Sequence, residues 1–191
     1  MSAKYLFESQ RLGFRRWKES DRNPFAAMTA DPEVMRYFPK LVEKDEADRL
    51  IERFETHMDN KGFTMWAVDR KKDGAFMGFI GLLEITMPIE GQGAAEIGWR
   101  LDKRFWKQGY AVEGAQACLA YAFGPLGMTE VYSFTSVINQ PSEAVMKRIG
   151  MTKIDEFEHP NLDRGSPLKT HVLYKIKRQE AGRWIDQGDE R

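Results

Sequence analysis

The segment Ile97–Gly114, IGWRLDKRFWKQGYAVEG, constrains the fold of this chain more than any other stretch. It completes an apolar strand predicted at 95–101, passes through a short loop and opens a helix predicted at 109–123. The free N–H groups and the dipole at the start of a helix form a ready anion site. Gly109 lets a ligand approach the backbone closely, and Lys107 adds a positive charge. The segment therefore predicts a strand-to-helix junction that can bind an anion.

Two familiar phosphate-binding loops are excluded at this junction. The Walker loop requires Gly-Lys-Ser/Thr, which does not follow Gly109, and the glycine-rich dinucleotide fingerprint is also missing. One glycine between a strand and a helix is equally compatible with a tight packing turn. The residues alone leave both interpretations open.

The remaining elements follow from apolar periodicity and from turn residues. Strands are predicted at 11–17, 63–69, 76–85, 95–101, 131–137, 151–157 and 169–176, and helices end at Met28 or span 44–57, 109–123 and 142–149. This order predicts an α/β (α+β) fold on a mixed, largely antiparallel central sheet. Since the sequence has no linker and no repeat, we expect one domain over 1–191, with its core at about 10–178. A frayed polar tail is expected at 179–191, apart from Trp184.

Composition narrows the classes of function. The chain has 29 basic and 29 acidic residues, whereas nonspecific nucleic-acid or membrane-surface binding normally needs a positive field. We therefore expect neither a nucleic acid nor a membrane as partner, and no segment approaches the length of a bilayer span. A single cysteine forms neither an intrachain disulfide nor a paired-cysteine zinc cluster. These features favour a cytoplasmic protein without a metal ion.

Two motifs carry a resemblance to a known family. Phe105–Gly114, FWKQGYAVEG, resembles the aromatic-Trp-x-x-Gly-Tyr-Ala-x-Glu-Ala signature of the ribosomal-protein N-acetyltransferase-like branch of the GCN5-related N-acetyltransferase (GNAT) superfamily. Asn139–Ser142 and Val145–Met151 resemble that branch's Asn-x-x-Ser segment ending in Leu-Gly-Phe. The order of elements agrees over about residues 10–178. The resemblance implies a sheet splayed between its fourth and fifth strands, with helices on both faces.

The same resemblance implies an activity and a cofactor site. A GNAT enzyme transfers the acetyl group of acetyl-CoA directly to a primary amine, here of a protein N-terminus or a small molecule. The pyrophosphate of acetyl-CoA would lie on the loop before the helix, and its pantetheine arm would pair with strand backbone. The implied cofactor contacts are Trp99, Arg100, Leu101, Lys107, Gln108, Gly109, Tyr110, Ala111, Asn139 and Ser142.

The resemblance also bears on the catalytic groups. Many superfamily members have a tyrosine general acid where this chain has Met146, and a thioether donates no proton. Ser142 is the candidate donor to the leaving thiolate, as at this position of the resembling branch, and a helix N-cap is its alternative role. Glu96 and Glu84, at strand ends, are candidates to hold a water that accepts the amine proton or to fix the ammonium. A solvated strand-end charge is the alternative for each.

Other positions favour structural roles. Cys118 falls on an apolar helical stripe and is expected to be a core thiol, not a nucleophile. Glu113 is expected to stabilise the helix dipole. The resemblance places Met35, Tyr37 and Phe38 where the acceptor amine would bind, although core packing explains them equally well.

Two rival functions remain open. One is a non-catalytic acyl-CoA-binding sensor or regulatory module, motivated by Met146 and by the lack of a certain base. The other is an antibiotic-modifying acetyltransferase with a cationic polyamine acceptor, which would need an acidic acceptor groove. The acidic residues are dispersed in the sequence and do not decide between them. A monomer and a homodimer are both compatible with the sequence.

Overall fold

The computed structural model describes residues 4–182. Its strands are β1 (Phe7–Glu8), β2 (Leu12–Arg15), β3 (Met65–Arg70), β4 (Ala75–Glu84), β5 (Ala95–Leu101), β6 (Glu130–Ser136), β7 (Thr152–Glu158) and β8 (Thr170–Lys177). The helices are α1 (Arg22–Thr29), α2 (Lys44–Lys61), α3 (Tyr110–Phe123) and α4 (Gln140–Arg148). The strands form one sheet in the order β1-β2-β3-β4-β5-β6-β8-β7. β5 and β6 pair in parallel, whereas β1–β2, β2–β3, β3–β4, β6–β8 and β7–β8 pair antiparallel. The predicted mixed, largely antiparallel sheet is confirmed.

The first strand of the sheet was not predicted. β1 has only two residues, which is too short to show any periodicity, and it forms because Phe7 pairs with Phe14 of β2. The two rings stack with their centroids 4.3 Å apart. The strand predicted at 11–17 is accordingly shorter, since β2 ends at Arg15. Tertiary contact, not local sequence pattern, sets this edge of the sheet.

Residues 4–83 and 98–117 form one compact unit around an aromatic core. Trp17 lies 4.9 Å from Phe25, and Phe54 lies 5.4 Å from Phe79, between ring centroids. The indole N–H of Trp17 donates to the carbonyl of Met65 at 2.8 Å, so the core aromatic also satisfies its polar group. The apolar positions of α2 point into this core, as the helical spacing predicts.

A buried ion cluster ties β2 and β3 to the start of α1. The Arg15 guanidinium, 5% exposed as a residue, donates to both carboxylate oxygens of Asp21 and of Asp69. Burial alone would lower the pKa of Arg15, but the bonds from these two carboxylates raise it above its ordinary value. A buried charge with complete partners is stable, whereas removing one partner is strongly destabilising.

Residues 84–97 and 118–182 form a second compact unit. β6 pairs with β8 from Glu130 to Ser136, and β8 pairs with β7. A small apolar cluster includes Ile85, Tyr132 and Leu173. The buried half of α3 in this unit consists of Cys118, Leu119, Ala122 and Phe123, all 0% exposed. The predicted burial of Cys118, Leu119 and Ala122 on one stripe is confirmed, and burial raises the pKa of the Cys118 thiol.

Two further expectations concern membrane contact and the C-terminal tail. Between residues 4 and 182, no helix combines the length and apolarity needed to cross a membrane. The tail expected from residue 179 begins inside a 3-10 turn at Arg178–Glu180. Trp184 lies outside the described residues.

Candidate functional site

The loop between β5 and α3 is fixed at its first end by side chains. Asp102 accepts from the backbone N–H of Arg104 at 2.9 Å and also binds the Arg104 guanidinium. The indole N–H of Trp106 donates to the carbonyl of Leu101 at 2.8 Å. Trp106 therefore holds the loop against the end of β5.

The centre of the loop has an uncommon backbone conformation. Lys107 has φ 59° and Gly109 has φ 82°, both in the left-handed region, and both residues are exposed. The N–H of Glu113 donates to the carbonyl of Gly109 at 3.0 Å, which is the first bond of α3. The N–H groups of Tyr110 and Ala111 precede that bond and have no partner within the helix. Such amides at a helix start are typical anion ligands.

Arg11, from the turn between β1 and β2, supplies a second cation beside this loop. Its Nη1 donates to the carbonyl of Gln108 at 3.1 Å, and its guanidinium lies 4.2 Å from the centroid of the Tyr110 ring. Glu113 holds it in place, because Oε2 accepts from Arg11 Nε at 2.6 Å while Oε1 accepts from Ser9 Oγ at 2.6 Å. The sequence pattern gave no signal for Arg11, which is distant from the loop along the chain.

Glu113 has a more specific role than helix-dipole stabilisation. Burial alone would raise the pKa of its carboxyl, but hydrogen bonds from Ser9 and from the backbone and side chain of Arg11 lower it. The carboxylate therefore links the start of α3 to the turn that contains Arg11. It does so through specific hydrogen bonds with Ser9 and Arg11, in addition to any effect on the helix dipole.

Arg100 on β5 has an exceptional environment. Its guanidinium carbon lies 3.9 Å from the centroid of the Phe38 ring and 5.3 Å from that of Phe79. Its Nε and Nη1 are buried and have no hydrogen-bond partner among residues 4–182. Burial lowers the pKa of Arg100 to about 10. The family resemblance implies only a backbone role of Arg100 toward the cofactor, and the isolated cation is a finding of the structure.

The residues expected near the acceptor amine have different environments. Met35 is 3% exposed and belongs to the aromatic core, which fits its structural interpretation. The ring of Tyr37 carries the guanidinium of Arg36 at 4.5 Å. Phe38 is half-buried and is the one of the three that contacts Arg100. Trp99, predicted to pair with the cofactor through its backbone, is half-buried on β5.

The two candidate carboxylates differ in the strand face that they occupy. Side chains alternate along a strand, so Glu96 and Arg100, an even number of positions apart on β5, share a face. Phe79 and Glu84, an odd number apart on β4, point to opposite faces. Since Arg100 packs on Phe79, the alternation puts Glu96 on the Phe79 face and Glu84 on the other.

The carboxyl group of Glu96 is strongly perturbed by burial. It is half-buried, it has no hydrogen-bond or ion-pair partner for its carboxylate among residues 4–182, and burial raises its pKa to about 8. Perturbed carboxyls of this kind are typical of general bases. The Glu96 carboxyl group therefore has the burial and the raised pKa that suit a proton acceptor.

Backbone pairing between β5 and β6 is short. It consists of Ala95 with Val131 and Glu96 with Tyr132, at the start of both strands. Immediately beyond these pairs, the Ser133 hydroxyl donates to the carbonyl of Ile97 at 2.9 Å. The backbone pairing of these two parallel strands is thus limited to their first residues, and a side-chain hydrogen bond follows it.

Asn139 is the N-cap of α4. Its Oδ1 accepts from the N–H of Ser142 at 3.3 Å, and its Nδ2 donates to Thr135 Oγ1 at 2.9 Å. The alternative role predicted for Ser142, that of helix cap, is therefore wrong. The helix begins at Gln140, and Pro141 lies in its first turn, where proline is favoured.

Ser142 is left with a free hydroxyl. It is half-buried, and its Oγ has no hydrogen-bond partner among residues 4–182. Met146, one turn later, is 1% exposed. The neighbouring Glu143 accepts from Tyr174 at 2.6 Å and pairs with Lys147 at 2.8 Å. The first turn of α4 is thus fixed in place while Ser142 keeps a hydroxyl that can bind a ligand.

The residues between 4 and 182 contain no cluster of three or more His, Cys, Asp or Glu side chains suited to a metal ion. His159 and His171 share no motif in the sequence, but their ring centroids lie 4.8 Å apart. Burial lowers the pKa of both imidazoles.

Comparison with known proteins places the site in a family context. Residues 11–152 match the family described as acetyltransferase (GNAT) domain. FsC-acetyl coenzyme A-N(2)-transacetylase of Aspergillus fumigatus is 32% identical over 167 residues, covering 78% of this chain and 66% of that protein. The uncharacterized protein YkkB of Bacillus subtilis is 30% identical over 152 residues, which cover 79% of this chain and 87% of YkkB. A crystal structure of a GNAT-family acetyltransferase from Bacillus anthracis has a TM-score of 0.76 and 25% identity, over 91% of this chain and 98% of its own.

Proposed function

Because this chain belongs to the GNAT acetyltransferase family, we propose that it transfers the acetyl group of acetyl-CoA directly to a primary amine of a protein N-terminus or a small molecule. The loop at Lys107–Ala111 carries the proposal. It combines a helix start, a left-handed glycine and two cations, Lys107 and Arg11, which suit the charge of a pyrophosphate. The backbone of Trp99 and Arg100 would pair with the pantetheine arm.

The chemical step needs one proton acceptor and one proton donor. The amine nitrogen attacks the thioester carbonyl carbon, the carbon–sulfur bond breaks, and an amide forms. Glu96 would accept the amine proton through a water, since burial raises its pKa to about 8 and so makes it a stronger base than an ordinary carboxylate. Ser142 would donate to the departing thiolate, and Asn139 would position it through the α4 cap.

Acetyl-CoA binding by calorimetry tests the loop. Gly109→Val places a side chain at φ 82° beside the amides and should weaken acetyl-CoA binding at least about tenfold, since each hydrogen bond to a charged group is worth roughly 1.5–3 kcal/mol. Gly62→Val is the matched control, because Gly62 also has a left-handed φ, 79°, and open space around it, but lies at the end of α2. Equal affinities in the two folded variants would contradict the proposed loop.

A non-catalytic acyl-CoA sensor is the alternative. It would bind acetyl-CoA through the same loop but would release no thiol in the presence of amines. The unbonded Ser142 hydroxyl and the raised pKa of Glu96 support the enzyme instead. Release of coenzyme A across a panel of amines and N-terminal peptides separates the two.

A further inference from the structure

Arg15 and Arg100 show how differently this chain treats two buried guanidinium groups. Arg15 has two carboxylates around it and complete hydrogen bonds. Arg100 has two phenylalanine rings, and no carboxylate lies within ion-pair distance of it among residues 4–182. A charge removed from water without a partner costs several kcal/mol, so an isolated buried cation requires a compensating role.

The guanidinium of Arg100 combines an aromatic neighbour with N–H groups that have no acceptor among residues 4–182. The Phe38 ring packs against it at 3.9 Å, while Nε and Nη1 have no acceptor. The residue as a whole is half-buried, whereas Nε and Nη1 themselves are buried. A guanidinium beside an aromatic ring presents its N–H edge, which matches the two oxygens of a planar carboxylate.

We propose that Arg100 binds a carboxylate of the acceptor, so that the acceptor is a small amine that also carries a carboxylate group. The inference rests on the proposed acetyltransferase function and narrows its acceptor class. It places the apolar part of the acceptor on Phe38, beside the fork of Arg100. A polyamine is disfavoured, because its cationic chain would be repelled by the same guanidinium.

Matched pairs of amines test the proposal by kinetics. The probes are a series of amino acids from glycine to aminohexanoate, each compared with its own amide, with spermidine as a cationic control. Release of coenzyme A gives kcat/KM for each. At least one chain length should show a carboxylate preferred over its amide by about tenfold or more, the usual strength of a charge-assisted bond. The amine of each amide is less basic than the amine of the matching amino acid. This difference favours the amides and therefore works against the expected preference for the carboxylates.

Two Arg100 variants assign the preference to the guanidinium. Arg100→Gln should abolish the preference, and Arg100→Lys should keep only part of it, since an ammonium has charge but no fork. Arg53→Gln is the matched control, because it removes the same charge from the exposed surface of α2 and should leave the preference unchanged. Arg100→Gln should melt no lower than wild type, since it removes an unpaired buried charge, and it should bind acetyl-CoA with wild-type affinity.

Three results would overturn the proposal. The first two leave the proposed acetyltransferase function intact, and the third applies if that function itself fails. Equal rates for carboxylates and amides in an active enzyme show that Arg100 selects no acceptor. Loss of acetyl-CoA affinity in Arg100→Gln with the carboxylate preference retained assigns the guanidinium to the cofactor. If no amine is acetylated, the proposed function fails, and binding alone decides. At least one amino acid of the series must then raise the melting temperature of wild type and not of Arg100→Gln, and no rise with any of them overturns the proposal.

Discussion

Asn139 caps the helix that carries Ser142, through a hydrogen bond from the Ser142 N–H to Asn139 Oδ1 at 3.3 Å. The hydrogen bond distinguishes the helix cap from the role of the Ser142 hydroxyl, which the sequence alone could not do. Helix stability depends on the Asn139 side chain, whereas the Ser142 hydroxyl takes no part in the cap. Mutations at the two positions should therefore affect different measurements.

Ser142→Ala should lower turnover with little effect on stability. A positioned general acid is typically worth about 10²–10⁴-fold, so we expect at least a tenfold fall in kcat at saturating acetyl-CoA. The melting temperature should stay at the wild-type value because the cap is intact. Asn139→Ala is the paired variant and should lose roughly 1 kcal/mol of stability. Wild-type turnover in Ser142→Ala would show that a water protonates the thiolate.

Glu96 should determine the pH dependence of the rate. Its pKa of about 8 means that the carboxyl is largely protonated at neutral pH, so kcat/KM should rise with pH and level off above about 8. Glu96→Gln should lower the rate and remove this inflection, and Glu84→Gln should keep it. An unchanged profile in Glu96→Gln would assign the proton to another group.

The same carboxyl should affect folding in the opposite direction. The unfolded chain releases the Glu96 proton near pH 4.3, whereas the folded protein holds it to about 8. The folded state therefore binds more protons between these values, and the contribution of Glu96 to stability is lost as the pH rises through that window. The melting temperature of Glu96→Gln should gain on that of wild type from about pH 5 to 8. Parallel curves would contradict a raised pKa.

Glu113 should behave in the reverse sense. Its folded-state pKa is lowered, so its contribution to stability is complete above the unfolded value of about 4.3 and is lost as the pH falls through the folded-state value. The advantage of wild type over Glu113→Gln in chemical denaturation should be full at pH 6 and should shrink in acid. A constant difference would mean that the contact with Arg11 contributes nothing measurable.

Cys118→Ala should keep most of the turnover per folded molecule. The thiol is 0% exposed and burial raises its pKa, so it is a poor nucleophile. The small cavity should cost about 1 kcal/mol of stability. Mass spectrometry of the enzyme incubated with acetyl-CoA should show no acetyl group on Cys118. An acetylated Cys118 that then transfers its acetyl group to an amine would overturn direct transfer.

The junction of β5 and α3 could be predicted because its signals are local. The glycine, the aromatic residues and the helical stripe all lie within one stretch of sequence. The start of α4 was also readable, since Pro141 favours the first turn and so points to Asn139 as the cap. The prediction of Ser142 as cap followed the general capping preference of serine and overlooked this proline.

Contacts between distant segments could not be predicted in the same way. Arg11 reaches the loop only because β2 is paired and Glu113 holds the side chain. The isolation of Arg100 depends on which groups do not surround it, and no sequence pattern describes that. The strand faces of Glu84 and Glu96 can be compared only through the contact of Arg100 with Phe79. Each strand alone shows only that its side chains alternate between two faces.

The left-handed Lys107 implies an opposition between ligand binding and folding. A lysine at φ 59° costs roughly 1–2 kcal/mol that a glycine would not. Lys107→Gly should therefore raise the free energy of unfolding while removing a charge that the proposed function assigns to pyrophosphate binding. A substitution that looks like an improvement in a melting experiment would then be a loss in a binding experiment. A selection for heat resistance alone would be expected to accept this change, and a selection for acetylation would be expected to reject it.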